Sequence, residues 1–352
     1  MKGAKVMDEK KLLKSLCEGH GPSGREHWLF ENIKEAFSEF GQVTLDNLNN
    51  TIIHKKGNGK GKIMLMAHAD EIFMVVTAVG ENGFLEFKEN GLDPKVLVSQ
   101  EVIVHGEKQI LGVIGVKPPH LMKEEDRKKA VKIDNLRIDT GLSTEELKKV
   151  VKPGDFVTLK REVRELLNDN IASKASDDRA SIVSLYTCAK ELKNINHDLD
   201  VYFVASAQEE VGHRGAKTAS FAIRPDIGIA IDVGFDDSKL GDTGCGVKLG
   251  GGPMITVGPN IHPRLRKHLV SIAKEYNIPY QVEICPGSTG TDAWDIQVTA
   301  DGIPTLLLSI PQRYMHTSVE VVNMNDIKNT GILLAKLIEK LKYEDLEGIL
   351  CF

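Results

Sequence analysis

Apolar residues follow two different rhythms along this chain, and the change of rhythm divides it. Near the start, Leu12, Leu13 and Leu16 recur on one helical face. Gly19-His20-Gly21-Pro22-Ser23-Gly24 breaks that helix, and Ser23 with Glu26 predicts a capping box before a second helix carrying Trp28, Phe30, Ile33 and Phe37. Runs of apolar residues then predict strands at Thr51-Ile52-Ile53, Ile63-Met64-Leu65-Met66, Val201–Ala205, Ile227–Ile231, Tyr280–Ile284 and Thr305–Ser309. Helical spacing returns at about 178–192, 263–276 and 325–341. From about Phe73 to Arg164 only short strand candidates appear, among them Val75-Val76, Phe84–Phe87, Val102–Val104, Ile110–Ile114 and Phe156–Leu159, punctuated by Gly and Pro. The pattern predicts an α/β domain built from 1–72 and 165–352, interrupted by an all-β unit over 73–164.

Composition narrows the classes. The 352 residues are 41% hydrophobic and 27% charged, an ordinary globular balance, and are enough for more than one domain. A net charge of -5 argues against a basic nucleic-acid surface. Aromatic residues at 5% disfavour a carbohydrate groove lined with stacking rings. No apolar run approaches the ~18 residues of a membrane span. Met1-Lys2-Gly3-Ala4-Lys5 leads into charged sequence without the apolar core of a signal peptide. Cys17, Cys188, Cys245, Cys285 and Cys351 are scattered and odd in number, so the expectation is a reduced, cytoplasmic protein with no disulfide framework and no cysteine zinc site.

The candidate chemistry lies where strands end. Glu209 and Glu210 directly follow Val201–Ala205, and two adjacent carboxylates at the end of a buried strand are unfavourable unless a cation or a proton compensates them. Their side chains leave the backbone in different directions, so one can bind metal while the other contacts a water. His68 and Asp70 follow Ile63–Met66, and strand alternation points both to one side. They read as a metal-binding His with an Asp orienting it, or as a plain His–Asp hydrogen bond. Asp177 and Asp178 precede a helix and read as caps or as a carboxylate bridging two metals, with Arg179 free to pair with one of them. Asp232 ends one predicted strand and His316 follows another; each is a candidate ligand or a turn or structural residue. His213 reads as a loop histidine without a metal role. Polar groups gathered beyond the strands of one α/β domain match the usual place for ligands in such sheets. Two His with several carboxylates suit zinc, cobalt or manganese.

These residues in this order resemble the dinuclear metallo-aminopeptidases of the glutamyl-aminopeptidase and TET (tetrahedral) type. The matching pieces are Ala67-His68-Ala69-Asp70-Glu71-Ile72, Lys174-Ala175-Ser176-Asp177-Asp178-Arg179, Gln208-Glu209-Glu210-Val211-Gly212, Ile231-Asp232-Val233, Gly290-Thr291-Asp292-Ala293 and Ile310–Thr317. The resemblance implies a mixed-sheet metallo-exopeptidase catalytic domain with an inserted, barrel-like dimerisation domain. It implies two divalent metal ions per subunit, zinc or cobalt first and manganese as a further option. His68, Asp177 and Asp232 would hold one ion, and Asp177, Glu210 and His316 the other, with Asp177 bridging. Glu209 would be the general base acting on a metal-bridging water, and Asp70 the partner of His68. The substrates would be peptides shortened from the N-terminus, Asp292 is a candidate anchor for their α-amino group, and the subunits would be dimers assembling to a dodecamer.

A glycoside hydrolase with paired carboxylates is the alternative. Its acid and base flank the scissile bond about 5 to 9.5 Å apart, a geometry that adjacent glutamates fit poorly. It also leaves His68 and His316 unexplained. A catalytically dead scaffold of the same fold has no support, because every expected ligand is present.

Overall fold

A computed structural model describes residues 7–237 and 246–351. Cys245 and the Met1–Lys5 segment lie outside them. Among the described residues, two sheets organise the fold. The larger has eleven strands, and its centre runs Asp200–Ser206, Lys62–His68, Ile227–Phe235 and Thr305–Arg313, all parallel. Antiparallel strands extend it on both sides, with Thr51–Lys55 and Gln42–Leu45 at one edge and Glu320–Asn323, Asn170–Ser173 and Arg164–Glu165 at the other. The smaller sheet is a closed barrel of six antiparallel strands, Phe73–Val79, Phe84–Asn90, Glu101–His105, Gln109–Val116, Leu136–Asp139 and Phe156–Leu159.

The two rhythms of the sequence are the two burial regimes of these sheets. The first eight residues of Thr305–Arg313 and of Ile227–Phe235 are buried in unbroken succession, because parallel strands are covered on both faces. Gln109–Val116 alternates exposed and buried, as a barrel strand with one wet face must. Each sheet has its own apolar cluster. Helix Ser176–Glu191 packs beside Met324–Lys340, and the approach is close. A Cβ on Gly331 would lie 2.5 Å from the Ser184 carbonyl oxygen, so no larger residue fits there without moving a backbone.

Two local expectations fail for one reason. Ser23 and Glu26 form no capping box: Ser23 donates to Asp70 at 2.6 Å, and Glu26 accepts the backbone N–H groups of Gly24 at 2.6 Å and Gln208 at 3.0 Å. Arg179 pairs with neither Asp177 nor Asp178; it donates to Glu71 at 3.0 Å and to the Leu16 carbonyl at 2.7 Å. In both cases a distant carboxylate outcompetes the local partner. Asp177 and Asp178 break from helical φ and ψ ahead of the helix proper, and their carboxylates turn to His68 and His316. Asp232 does not end its strand, which continues to Phe235.

Glu71 and Lys174 flank the stretch of chain that holds the barrel strands. Glu71 follows the strand Lys62–His68 just before the first barrel strand, and Lys174 follows Asn170–Ser173. Their side chains meet at 2.5 Å, and Glu71 also accepts the Gly21 N–H at 2.9 Å. Burial alone would raise the Glu71 carboxyl, but Lys174 and Arg179 hold it down to about 2. Glu71→Gln should therefore lower the unfolding free energy by about 3–5 kcal/mol, because it leaves two cations buried without their partner. Urea denaturation measures this, and an unchanged midpoint would contradict the role given to Glu71.

Candidate metal centre

Five sequence-predicted residues converge beyond the C-terminal ends of the central strands. His68 closes the strand Lys62–His68 and lies opposite Ser206 in register, so the turn carrying Glu209 and Glu210 begins beside it. His68 is 2% exposed. Its Nε2 lies 2.9 Å from Asp177 Oδ1 and 3.9 Å from Glu209 Oε2. The other oxygen of Asp177 lies 3.3 Å from His316 Nε2, which is itself 3.5 Å from Glu210 Oε1. Asp177 thus touches both histidines, one with each oxygen. Donor atoms of His68, Asp177 and Glu210 fall within 4.8 Å of one another, and so do those of His68, Asp178 and Asp232. The His316 side chain is 39% exposed against 7% for Asp177, which marks the His316 side as the open one.

Asp178, weighed from the sequence beside Asp177 but given no place among the ligands, lies within the site. It is fully buried, its Oδ2 accepts the His68 backbone N–H at 3.1 Å, and its Oδ1 has no hydrogen-bond partner. Nothing in two consecutive aspartates tells which of them faces the histidine ring.

A supporting layer fixes these groups. Asp70 accepts the backbone N–H groups of Glu209 at 3.0 Å and Glu210 at 3.2 Å, beside the Ser23 hydroxyl. His68 Nδ1 is 3.1 Å from the Asp70 carbonyl oxygen and 3.5 Å from its Oδ1, so the backbone of Asp70 is the closer partner of the ring. Glu320 accepts the Asp177 and His316 N–H groups, both at 3.1 Å. Asp292 is buried, accepts the Ser206 hydroxyl at 2.5 Å, and leaves Oδ1 without a partner. His213, read from sequence as a plain loop residue, lies 3.2 Å from Glu209 Oε1.

The electrostatics state what the site lacks. Burial, and then the Asp177 charge, push Glu210 well above the carboxylate range. Burial and then Asp178 do the same to Asp232, and burial dominates at Asp178 too. Burial would also raise Asp177, but the contacts with His316 and His68 hold it low. Burial alone would lower His68, yet Asp177 and Asp70 keep its proton well above the usual histidine range. Glu210 Oε1 and Asp178 Oδ1 are buried without a hydrogen bond. Imidazole nitrogens among uncompensated carboxylate oxygens form a donor set that fits hard-to-borderline divalent cations. In width, burial and charge, the site is fit for such ions.

Fold and site together define a metal-dependent peptide hydrolase. The chain belongs to the M42 glutamyl aminopeptidase family, whose pattern matches residues 49–333. It is 37% identical over 349 residues to the lysyl aminopeptidase of Pyrococcus furiosus, covering 96% of this chain and 99% of that protein. The aminopeptidase APDkam598 of Desulfurococcus kamchatkensis superposes with a TM-score of 0.90 at 36% identity, over 98% of each chain. The TET1 peptidase of Pyrococcus horikoshii, which can assemble into a tetrahedron or a large octahedral shell, superposes with a TM-score of 0.84 at 33% identity, over 95% of this chain and 100% of that one. Among the described residues, no helix is long and apolar enough to cross a membrane.

The metal-free protein should lose stability as pH rises from about 7 to about 9. In the folded state the contact with Glu209 holds His213 at about 9, the contact with Asp177 holds His316 at about 9, and burial beside Asp177 raises Glu320 to about 8. The unfolded chain titrates these groups lower, so the folded state binds more protons across that window and stability falls as they leave. The melting temperature of chelator-treated protein should drop over this range, and zinc should flatten the drop because the ligands then bind metal in place of protons. A rise over the same range would contradict these contacts.

Proposed function

We propose that the protein is a dinuclear metallo-aminopeptidase that removes N-terminal residues from peptides. The observation that carries this reading is Asp177 set between His68 and His316, one oxygen to each. On this reading His68, Asp177 and Asp232 hold one ion, and Asp177, Glu210 and His316 hold the second. Zinc or cobalt suits the donors best, with manganese a further option. Such ions, held by these residues, would lower the pKa of a bound water and polarise a carbonyl. Glu209 is the general base: it takes a proton from the attacking water and returns it to the departing amine. Asp70 acts on both neighbours of the turn, since its carboxylate fixes the backbone N–H groups of Glu209 and Glu210.

The catalytic domain on this reading comprises 1–72 and 165–352, and 73–164 is an inserted dimerisation domain. The outward positions of Gln109–Val116 support that role, because Leu111 and Val113 are exposed at 49% and 46%. Dimers would assemble to a dodecamer in the manner of the TET1 peptidase, whose crystals contain one. A cytoplasmic setting is supported by four free cysteines among the described residues. A glycoside hydrolase would need no metal and would give His68 and His316 no part.

Glu209→Gln should reduce kcat by about 100- to 10,000-fold while metal content stays at the wild-type level. Aminoacyl-p-nitroanilide turnover and elemental analysis measure the two. A chelator should abolish activity, with zinc, cobalt or manganese restoring it. Full activity in Glu209→Gln would sink the general-base assignment, and chelator-resistant hydrolysis would sink the metal reading.

A further inference from the structure

We infer that His213, held in turn by Asp295, is a positioning residue that decides which oxygen of Glu209 faces the metal site. The inference rests on the reading of Glu209 as general base. Three side chains form a line. Asp295 Oδ2 lies 2.9 Å from His213 Nδ1, and His213 Nε2 lies 3.2 Å from Glu209 Oε1. The remaining oxygen, Glu209 Oε2, is the one turned to the site, 3.9 Å from His68 Nε2. Asp295 is anchored on its far side by Lys217 at 3.4 Å from Oδ1.

The geometry of the chain enforces this line. The segment from Ala207 to Gly215 folds back on itself: His213 donates its N–H to the Glu209 carbonyl at 3.0 Å, Arg214 to Gln208 at 3.2 Å and Gly215 to Ala207 at 2.8 Å. His213 adopts the left-handed region with φ of 51°. Gly215 must lack a side chain, because a Cβ there would meet Asn50 Oδ1 at 2.3 Å and the Ala207 backbone at 2.4 Å. The imidazole is therefore placed over its own turn, and the short helix Ala293–Ile296 brings Asp295 to its other nitrogen.

A lone glutamate would not hold such an orientation. The terminal torsion of a Glu side chain is broad and close to two-fold, so its oxygens interchange at little expense. A base must stay within hydrogen-bond reach of the proton it takes. With Oε1 tied to His213, only Oε2 remains to do so, and the torsion is frozen before substrate arrives. His213 touches no reacting atom; it acts through Glu209.

The test compares zinc-loaded wild type with His213→Leu, His213→Gln, Asp295→Asn and Glu209→Gln. His213→Leu should lose about 10- to 100-fold in kcat, the scale set by a displaced catalytic group, with KM and bound zinc unchanged. His213→Gln should recover most of that loss, because its amide nitrogen can donate to Oε1 where the imidazole does. Asp295→Asn should fall between them. Wild-type kcat in His213→Leu beside an inactive Glu209→Gln would overturn this inference alone. A His213→Gln variant no better than His213→Leu, with both equally lowered in melting temperature, would overturn it in favour of a purely structural role. Wild-type turnover in Glu209→Gln would instead overturn the general-base reading beneath it.

Discussion

Buried negative charge is the constraint on which this structure turns. An isolated carboxylate removed from water is unfavourable by far more than any single contact returns, so each buried one must find a cation, a proton or several donors. The chain meets this demand in two ways within a few residues. Glu71 is given Lys174 and Arg179, both buried with it, and stays ionised. Asp178, Glu210 and Asp232 are given no lysine or arginine, and burial drives each toward its protonated form. The first cluster is closed by the protein itself. The second is left short of positive charge, beside two imidazoles, and this shortage fits it for a metal ion as completeness fits the other for structure.

The closed cluster also serves the open one. Glu71 lies one residue beyond Asp70, and Lys174 three residues before Asp177, so the salt bridge pins the two segments that bring these carboxylates together. Arg179 adds the carbonyls of Leu16 and Gly19, which fixes the loop from which Ser23 reaches Asp70. A site that crowds buried carboxyl groups gains little cohesion from its own members. It depends on neighbours whose own interactions are complete.

Much of this was legible in the sequence, and the limit has a physical form. Unbroken apolar runs marked the parallel strands because burial on both faces leaves no polar alternation, and short strands punctuated by Gly and Pro marked the barrel. His68, Asp70, Glu209, Glu210 and His316 stood out because each follows such a run, Asp232 because it lies near the end of one, and Asp177 because it precedes a helix. What could not be read was orientation across long separations. Ser23 has a nearby Glu26 to cap with, yet Asp70 draws it away. Arg179 stands beside two aspartates and reaches Glu71 instead, 108 residues earlier in the chain. Asp178 and Asp177 are equivalent in one dimension; only the path of the backbone turns one to the His68 backbone N–H and the other to both rings.

The same reasoning separates Glu209 from Glu210. Both N–H groups point to one carboxylate, that of Asp70, so the backbone is held still through the pair. Consecutive side chains on a fixed backbone must diverge. Glu210 goes toward His316 and leaves Oε1 buried without a hydrogen bond, the condition of a ligand whose partner is a cation. Glu209 goes toward His213, where Oε1 is engaged and Oε2 is left to face the site. Two residues identical in chemistry take different directions because one carboxylate behind them fixes the backbone, and only one of them meets a histidine that is itself held by an acid.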